Sequence, residues 1–140
     1  MMHWKAVKYL FHYIKGTLDY KLTYSPSPEP ELFTSFTDAD HAGCPDTGRS
    51  TSGYVIKMGT GAISWSSRLQ GIVALSTTEA EFVAAVSCGQ EMLWLCNLLT
   101  EFGYDVSSAS KLRIDNLSAL SVAKNPEHHG RMKHLDLRFY

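Results

Sequence analysis

The chain has 140 residues, of which 44% are hydrophobic and 19% charged, a composition typical of one globular domain and unlike that of a disordered segment. A formal net charge of −1 gives no global basic field and argues mildly against avid non-specific DNA binding. It does not exclude a nucleic acid held through metal ions and a small basic patch. The three scattered cysteines, Cys44, Cys88 and Cys96, form no C-x-x-C pair, which disfavours a structural zinc site and indicates a reducing compartment.

The first residues of the chain do not read as a targeting segment. Lys5 and Lys8 stand among apolar residues, unlike the uninterrupted apolar run of a signal peptide. No run approaches the length of a membrane span. We therefore expect a soluble, intracellular protein with no membrane partner.

The N-terminal part of the chain predicts a helix, a strand and a linker. Apolar residues at helical spacing predict an amphipathic helix over residues 3–15, with Gly16 as its stop. The alternating sequence LDYKLTY predicts a strand over residues 18–24. The proline-rich sequence SPSPEPE, residues 25–31, predicts a stiff linker between a short N-terminal piece, residues 1–24, and the main domain, residues 32–140.

The main domain reads as strands followed by alternating helix and strand. Three strands are predicted, then a long helix, a fourth strand, a second helix and a last helix, at residues 32–38, 53–58, 62–66, 77–99, 111–115, 116–124 and 127–140. Antiparallel strands followed by a helical crossover indicate a mixed α/β fold, in which the fourth strand pairs in parallel with an earlier strand, most simply the first.

The long helix carries one apolar stripe that starts with a carboxylate. Residues on this stripe follow steps of four and three: Glu81, Ala85, Cys88, Met92, Leu95 and Leu99. Ser76 and Glu79 form a capping box, so the helix begins near Thr77 and Glu81 lies in its second turn. Either Glu81 faces the core and needs a cation or a hydrogen-bond partner, or the stripe rotates and leaves Glu81 in solvent.

Two aspartates are expected to meet Glu81 at one edge of the sheet. Asp38 and Asp115 end the first and fourth strands, which become neighbours if these strands are parallel. Three converging carboxylates raise one another's pKa unless a cation intervenes, and oxygen ligands suit Mg²⁺ or Mn²⁺. The alternative for Asp38 is an ordinary turn acid, and for Asp115 the N-cap of the following helix.

A series of short motifs then identifies a family. Residues 36–40, 48–54, 63–70, 74–82, 114–120 and 123–138 read FTDAD, GRSTSGY, ISWSSRLQ, ALSTTEAEF, IDNLSAL and AKNPEHHGRMKHLDLR. In order and spacing this series resembles the ribonuclease H domain of copia-type LTR retrotransposon Pol polyproteins. The preceding sequence, residues 3–24, looks like the end of the adjoining reverse transcriptase.

The resemblance implies a ribonuclease H-like fold and hydrolysis of the RNA strand of RNA/DNA hybrids during reverse transcription. It implies that Asp38, Glu81 and Asp115 hold two Mg²⁺ ions, Mn²⁺ being possible, with reverse transcriptase as a partner and a virus-like particle or the nucleus as location. The family's last strand, last helix and fourth acid lie beyond this sequence, so the fold is expected to be C-terminally truncated. Asp136 is the one late candidate for that acid, or else a solvent-facing residue. The alternative function is a catalytically inert retrotransposon-derived remnant or tether.

Candidate substrate contacts surround these acids. Gln70, Ser76, Thr77 and Asn116 could meet backbone oxygens or 2′-hydroxyls of a hybrid. The local basic cluster could contact phosphates or could be a solvated helix end; it consists of Lys124, His128, His129, Arg131, Lys133 and His134. A third possibility for the whole chain is a small-molecule or protein-binding α/β module, which predicts that the three carboxylates lie far apart.

Overall fold

The computed structural model describes residues 2–26 and 31–124. Its elements, in chain order, are α1 (Met2–Gly16), β1 (Thr34–Asp40), β2 (Thr51–Met58), β3 (Gly61–Leu69), α2 (Thr77–Glu101), β4 (Lys111–Ile114) and α3 (Leu117–Lys124). The predicted mixed α/β fold is confirmed. Strands β2 and β3 are longer than the sequence pattern indicated. The architecture is consistent with a ribonuclease H-like fold.

The four strands form one mixed sheet in the order β3-β2-β1-β4. β1 and β2 are antiparallel, as are β2 and β3, and Gly59 takes a positive φ of 60° in the turn that joins the latter pair. β4 pairs in parallel with β1, so that Thr37 lies opposite Ile114. The predicted parallel pairing of the first and fourth strands is therefore confirmed.

Helix α2 packs its apolar stripe on one face of the sheet. Cys88 and Met92 of the stripe form a buried cluster with Phe33 and Ile56, which come from the segment before β1 and from β2. Burial raises the pKa of the Cys88 thiol to about 11, which keeps this residue a neutral part of the core. The predicted stripe is confirmed, and Glu81 lies on its buried side with 7% of its surface exposed.

The length of α2 corrects one expectation. This 25-residue helix is long and apolar enough to cross a membrane, whereas no such run was expected from the sequence. Core helices of soluble proteins pass the same test, and α2 buries Glu79 and Glu81 together with its apolar stripe. The finding is therefore weak evidence for a membrane.

The N-terminal segment also departs from its prediction. α1 forms as expected, but its apolar side chains find no core within the described residues; Trp4 and Phe11 are 62% and 65% exposed. The predicted strand over residues 18–24 is wrong, because residues 20–26 have no regular secondary structure. Alternation alone does not make a strand when no neighbouring strand offers hydrogen bonds to it.

Several predictions lie outside the described residues. They concern most of the proline-rich linker, the last helix over residues 127–140, Asp136, and the basic cluster beyond Lys124. The division of the chain at residues 25–31 and the C-terminal truncation of the fold stay predictions.

Candidate active site

The sheet brings two of the predicted carboxylates to one end. Asp38 belongs to β1, and Asp115 directly follows Ile114, the last residue of β4. Since Thr37 pairs with Ile114 in a parallel ladder, the next residues of the two strands are Asp38 and Asp115. Both side chains are exposed.

The start of α2 is fixed by polar contacts that aim the helix at this end of the sheet. Ser76 is the N-cap, and its Oγ accepts the Glu79 N–H at 3.2 Å. The structure confirms the Ser76 half of the predicted capping box, and Glu79 Oε2 accepts the N–H of Leu75 at 2.8 Å. Glu79 thus ties the loop before the helix to its first turn.

Gln70 supports the same helix start from beneath. It is 4% exposed, and its Nε2 donates to Ser52 Oγ on β2 at 2.8 Å and to the Ala80 carbonyl at 2.9 Å. This pair of bonds joins the sheet to the residue that precedes Glu81. The predicted substrate-contacting position of Gln70 is wrong for this structure, since its side chain is used inside the protein.

Glu81 extends from α2 to the two aspartates. Burial is the largest influence on its carboxyl and raises its pKa, and the charges of Asp115 and Asp38 raise that pKa further. The backbone N–H of Ala39 donates to the carboxylate and opposes the rise, while a hydrogen bond with the Asp38 side chain favours the protonated form. Three acids remote in sequence therefore act on one another at the end of the sheet.

The donor set suits a hard divalent cation only in part. Glu81 Oε2 is buried with no hydrogen-bond partner, and it stands beside two further carboxylates, the ligand type that Mg²⁺ and Mn²⁺ take. However, the described part of the chain contains no group of three His, Cys, Asp or Glu residues already arranged to hold a metal ion. The acids interact through their charges without forming a closed coordination shell.

The remaining predicted residues have other contacts in this structure. Asn116 Oδ1 accepts the Ala119 N–H at 3.0 Å, so Asn116 caps α3 and the alternative role of Asp115 as that cap is wrong. Ser76 caps α2, and Thr77 is exposed at its first turn. Arg131 and Lys133 lie outside the described residues.

Two contributors to the site were not predicted from the sequence. The Ala39 N–H reaches Glu81 through the backbone, which any residue type could supply. Ser52, on β2, accepts a hydrogen bond from the Gln70 side chain, and only the register of β2 places its Oγ within reach. Alternation in β2, which buries Ser52 and Ile56 on one face, is the pattern that could have indicated an inward-facing serine.

Comparison with known proteins relates the chain to transposon polyproteins. Over 138 residues, 99% of the chain, it is 43% identical to the retrovirus-related Pol polyprotein from transposon TNT 1-94 of Nicotiana tabacum, and 38% identical to that from transposon RE2 of Arabidopsis thaliana. Over 93 residues, 66% of this chain and 65% of the relative, it is 41% identical to the secreted RxLR effector protein 161 of Plasmopara viticola. No family model and no solved structure matches the chain.

The fold and the comparisons therefore describe an α/β domain whose relatives include transposon Pol polyproteins. The chain is homologous, along nearly its whole length, to a segment of retrovirus-related Pol polyproteins. It spans only about a tenth of the length of the two Pol polyproteins, 10% and 9% respectively.

Proposed function

We propose that this chain is a ribonuclease H domain that hydrolyses the RNA strand of RNA/DNA hybrids during retrotransposon reverse transcription. The observation that carries the proposal is the burial of the Glu81 carboxyl beside Asp38 and Asp115, with one oxygen lacking a hydrogen-bond partner. A folded protein keeps such a repulsive group of acids at a cost to its stability, which a bound cation would offset. The relationship to Pol polyproteins supports the same proposal.

Asp38, Glu81 and Asp115 would hold the metal, Mg²⁺ or Mn²⁺, as two ions. When bound, such ions supply the Lewis acidity that phosphodiester hydrolysis needs. The chain's own residues supply position: Gln70 and Ser76 fix the start of α2, and the Ala39 N–H holds the Glu81 carboxylate. Metal binding would take the place of the proton that the buried Glu81 carboxyl favours in its absence.

The substrate surface would lie around these acids. Thr77 is exposed at the first turn of α2, and we propose that it faces the hybrid together with Ser76 and Asn116, which cap α2 and α3. Arg131 and Lys133 would contact phosphates, and the reverse transcriptase part of the same polyprotein would be a partner. The domain would act inside the cell, in a virus-like particle or the nucleus.

Metal binding and cleavage test the proposal together. We expect Mn²⁺ to broaden the NMR signals of Ala39 and Glu81, and a labelled hybrid to lose its RNA strand while the DNA strand stays intact. Affinity for the ion should fall as the pH is lowered through the raised pKa of Glu81, because protons then compete for the carboxylate. Glu81→Gln and Asp38→Asn should abolish both metal binding and cleavage.

Matched control variants distinguish the loss of a negative charge anywhere in the protein from the loss of a carboxylate at the candidate site. Glu101→Gln removes an exposed acid at the far end of the same helix, and Asp46→Asn removes an exposed aspartate after β1. Both should bind the ion and cleave like the unmodified protein. Wild-type cleavage by Glu81→Gln would overturn the assignment, whereas an absence of carboxylate-dependent metal binding would favour the inert remnant or tether.

A further inference from the structure

Tyr24 and Ser25, which follow α1 in the chain, are hydrogen-bonded to the turn between β2 and β3 and to the start of β3. The Tyr24 hydroxyl donates to the Ala62 carbonyl at 2.9 Å, across 38 residues of sequence. The Ser25 N–H donates to Thr60 Oγ1 at 3.0 Å, and the Thr60 N–H donates in return to the Ser25 carbonyl at 3.1 Å. These are tertiary contacts, although the segment has no regular secondary structure of its own.

Gly61 provides the surface on which the Tyr24 ring lies. The glycine is buried, and a Cβ built on it would overlap the ring. Its φ is not positive, unlike that of Gly59, so a side chain there is excluded by the ring and not by the backbone conformation. The contact therefore depends on a glycine at residue 61 and an aromatic ring at residue 24.

The turn lies at the end of the sheet away from the carboxylates. Lys57, near the turn, pairs with Thr34 at the start of β1, whereas Gly53 pairs with Asp38. A segment docked on this turn is thus held at the end of β1 opposite to the candidate active site. α1, whose Trp4 and Phe11 remain exposed, is attached to that same segment.

We propose that residues 23–25 form a clamp, which binds the β2–β3 turn. This clamp holds α1 and any polypeptide before it at the end of the sheet remote from Asp38, Glu81 and Asp115. The partner on this surface is the chain's own N-terminal segment. The clamp leaves the end of the sheet that carries the acids accessible. It does not depend on the nuclease assignment.

Amide hydrogen exchange measured by NMR on the full chain tests the clamp. In the unmodified protein the amides of Ser25 and Thr60 should exchange more slowly than exposed amides without a partner. Gly61→Ala should raise both exchange rates about tenfold, the effect of losing one or two exposed hydrogen bonds. Gly71→Ala is the matched control, because a Cβ on that exposed glycine meets no atom within 4 Å.

A second variant covers the possibility that Gly61→Ala disturbs the whole sheet. A general disturbance would also raise the exchange rate of the amide of the buried Ile56. In that case Tyr24→Ala, which removes a ring that is 58% exposed, tests the clamp. Unchanged exchange of Ser25 and Thr60 in Tyr24→Ala would overturn the clamp. Mn²⁺ broadening at Glu81 should be the same in all three variants, so failure of the clamp and failure of the nuclease proposal are distinguishable.

Discussion

Glu81 is the residue at which stability and the proposed function oppose each other. Its carboxyl is buried and stands beside two other acids, so its folded-state pKa lies above the ordinary value of 4.5. A raised folded-state pKa means that the folded protein binds this proton more tightly than the unfolded chain does. The resulting stability is fully present below pH 4.5 and is lost as the pH rises through the folded-state pKa.

Glu81→Gln should therefore stabilise the metal-free protein at neutral pH. The amide keeps the shape of the side chain and removes a charge that is buried near like charges, so we expect the free energy of unfolding to rise by about 1–2 kcal/mol. Urea unfolding at pH 7 and at pH 4 measures the effect, which should shrink at the lower pH. Glu101→Gln, an exposed change on the same helix, should leave stability unaltered; equal stability of Glu81→Gln and the unmodified protein at pH 7 would contradict this account.

The residues at the acid cluster also show where sequence reasoning left a choice open. Asp115 could equally have been a helix cap, and only the hydrogen bond from Ala119 to Asn116 assigns that role to its neighbour. The choice for Glu81 between core and solvent depended on the rotation of α2. The first question concerns the residue at which α3 begins, and the second concerns the rotation of α2 about its axis, each a matter of a fraction of a helical turn.

At the scale of elements, α2 organises the protein because both of its halves have a defined task. Its first turns carry the Ser76 cap and Glu81, while its middle packs Cys88 and Met92 against Phe33 and Ile56. Any displacement along the helix axis would move Glu81 away from the strand ends. The cap is therefore part of what positions the acid.

Ser76→Ala should weaken the start of α2. It removes the oxygen that accepts the Glu79 N–H, and the loss of an N-cap serine costs about 1 kcal/mol of folding free energy. Ser76→Asn keeps a cap and should restore stability, as measured by thermal unfolding. Because Asn still lacks the serine hydroxyl, a cleavage defect that persists in Ser76→Asn would identify a substrate contact, and a defect only in Ser76→Ala would identify the cap.

Apart from α1, the elements that formed as predicted are those with a partner to bury their pattern. The stripe of α2 and the strands around it bury one another, and their approximate limits followed from periodicity. Residues 18–24 alternate just as regularly, yet they form no ladder with a strand and are held by hydrogen bonds of Thr23 and Tyr24 with Thr60 and Ala62. Periodicity states what a segment could bury and leaves open whether anything is there to bury it.

At the scale of the whole molecule, the described residues place α2 on one face of the sheet. The face opposite α2 exposes a row of paired residues, in which Trp65 lies beside Val55 and Val55 beside Phe36. Arg113 of β4 stands over the Phe36 ring, 5.6 Å from its centroid. Within the described residues, burial is therefore concentrated in the layer between α2 and the sheet.

This one-sided core predicts unequal losses of stability when two neighbouring residues of β2 are changed to alanine. Ile56 is fully buried under α2, so Ile56→Ala should lower the free energy of unfolding by about 3 kcal/mol through lost contacts and a residual cavity. Val55 points to the other face and is 39% exposed, so Val55→Ala should cost less than about 1 kcal/mol. Chemical denaturation of both variants gives the comparison, and equal losses would mean that the open face of the sheet is also covered in solution.

The sequence by itself determined the kinds and order of the described main-domain elements, the buried stripe of α2 and the parallel partner of β4, because each follows from local periodicity and from the helical crossover that precedes β4. It also indicated which three carboxylates to examine. Only the tertiary structure decided that Glu81 is buried, that Gln70 supports α2 instead of facing a ligand, and that Tyr24 lies on Gly61. These outcomes depend on contacts between residues 10 to 40 or more positions apart, and no local pattern encodes the helix rotation or the strand register that creates them.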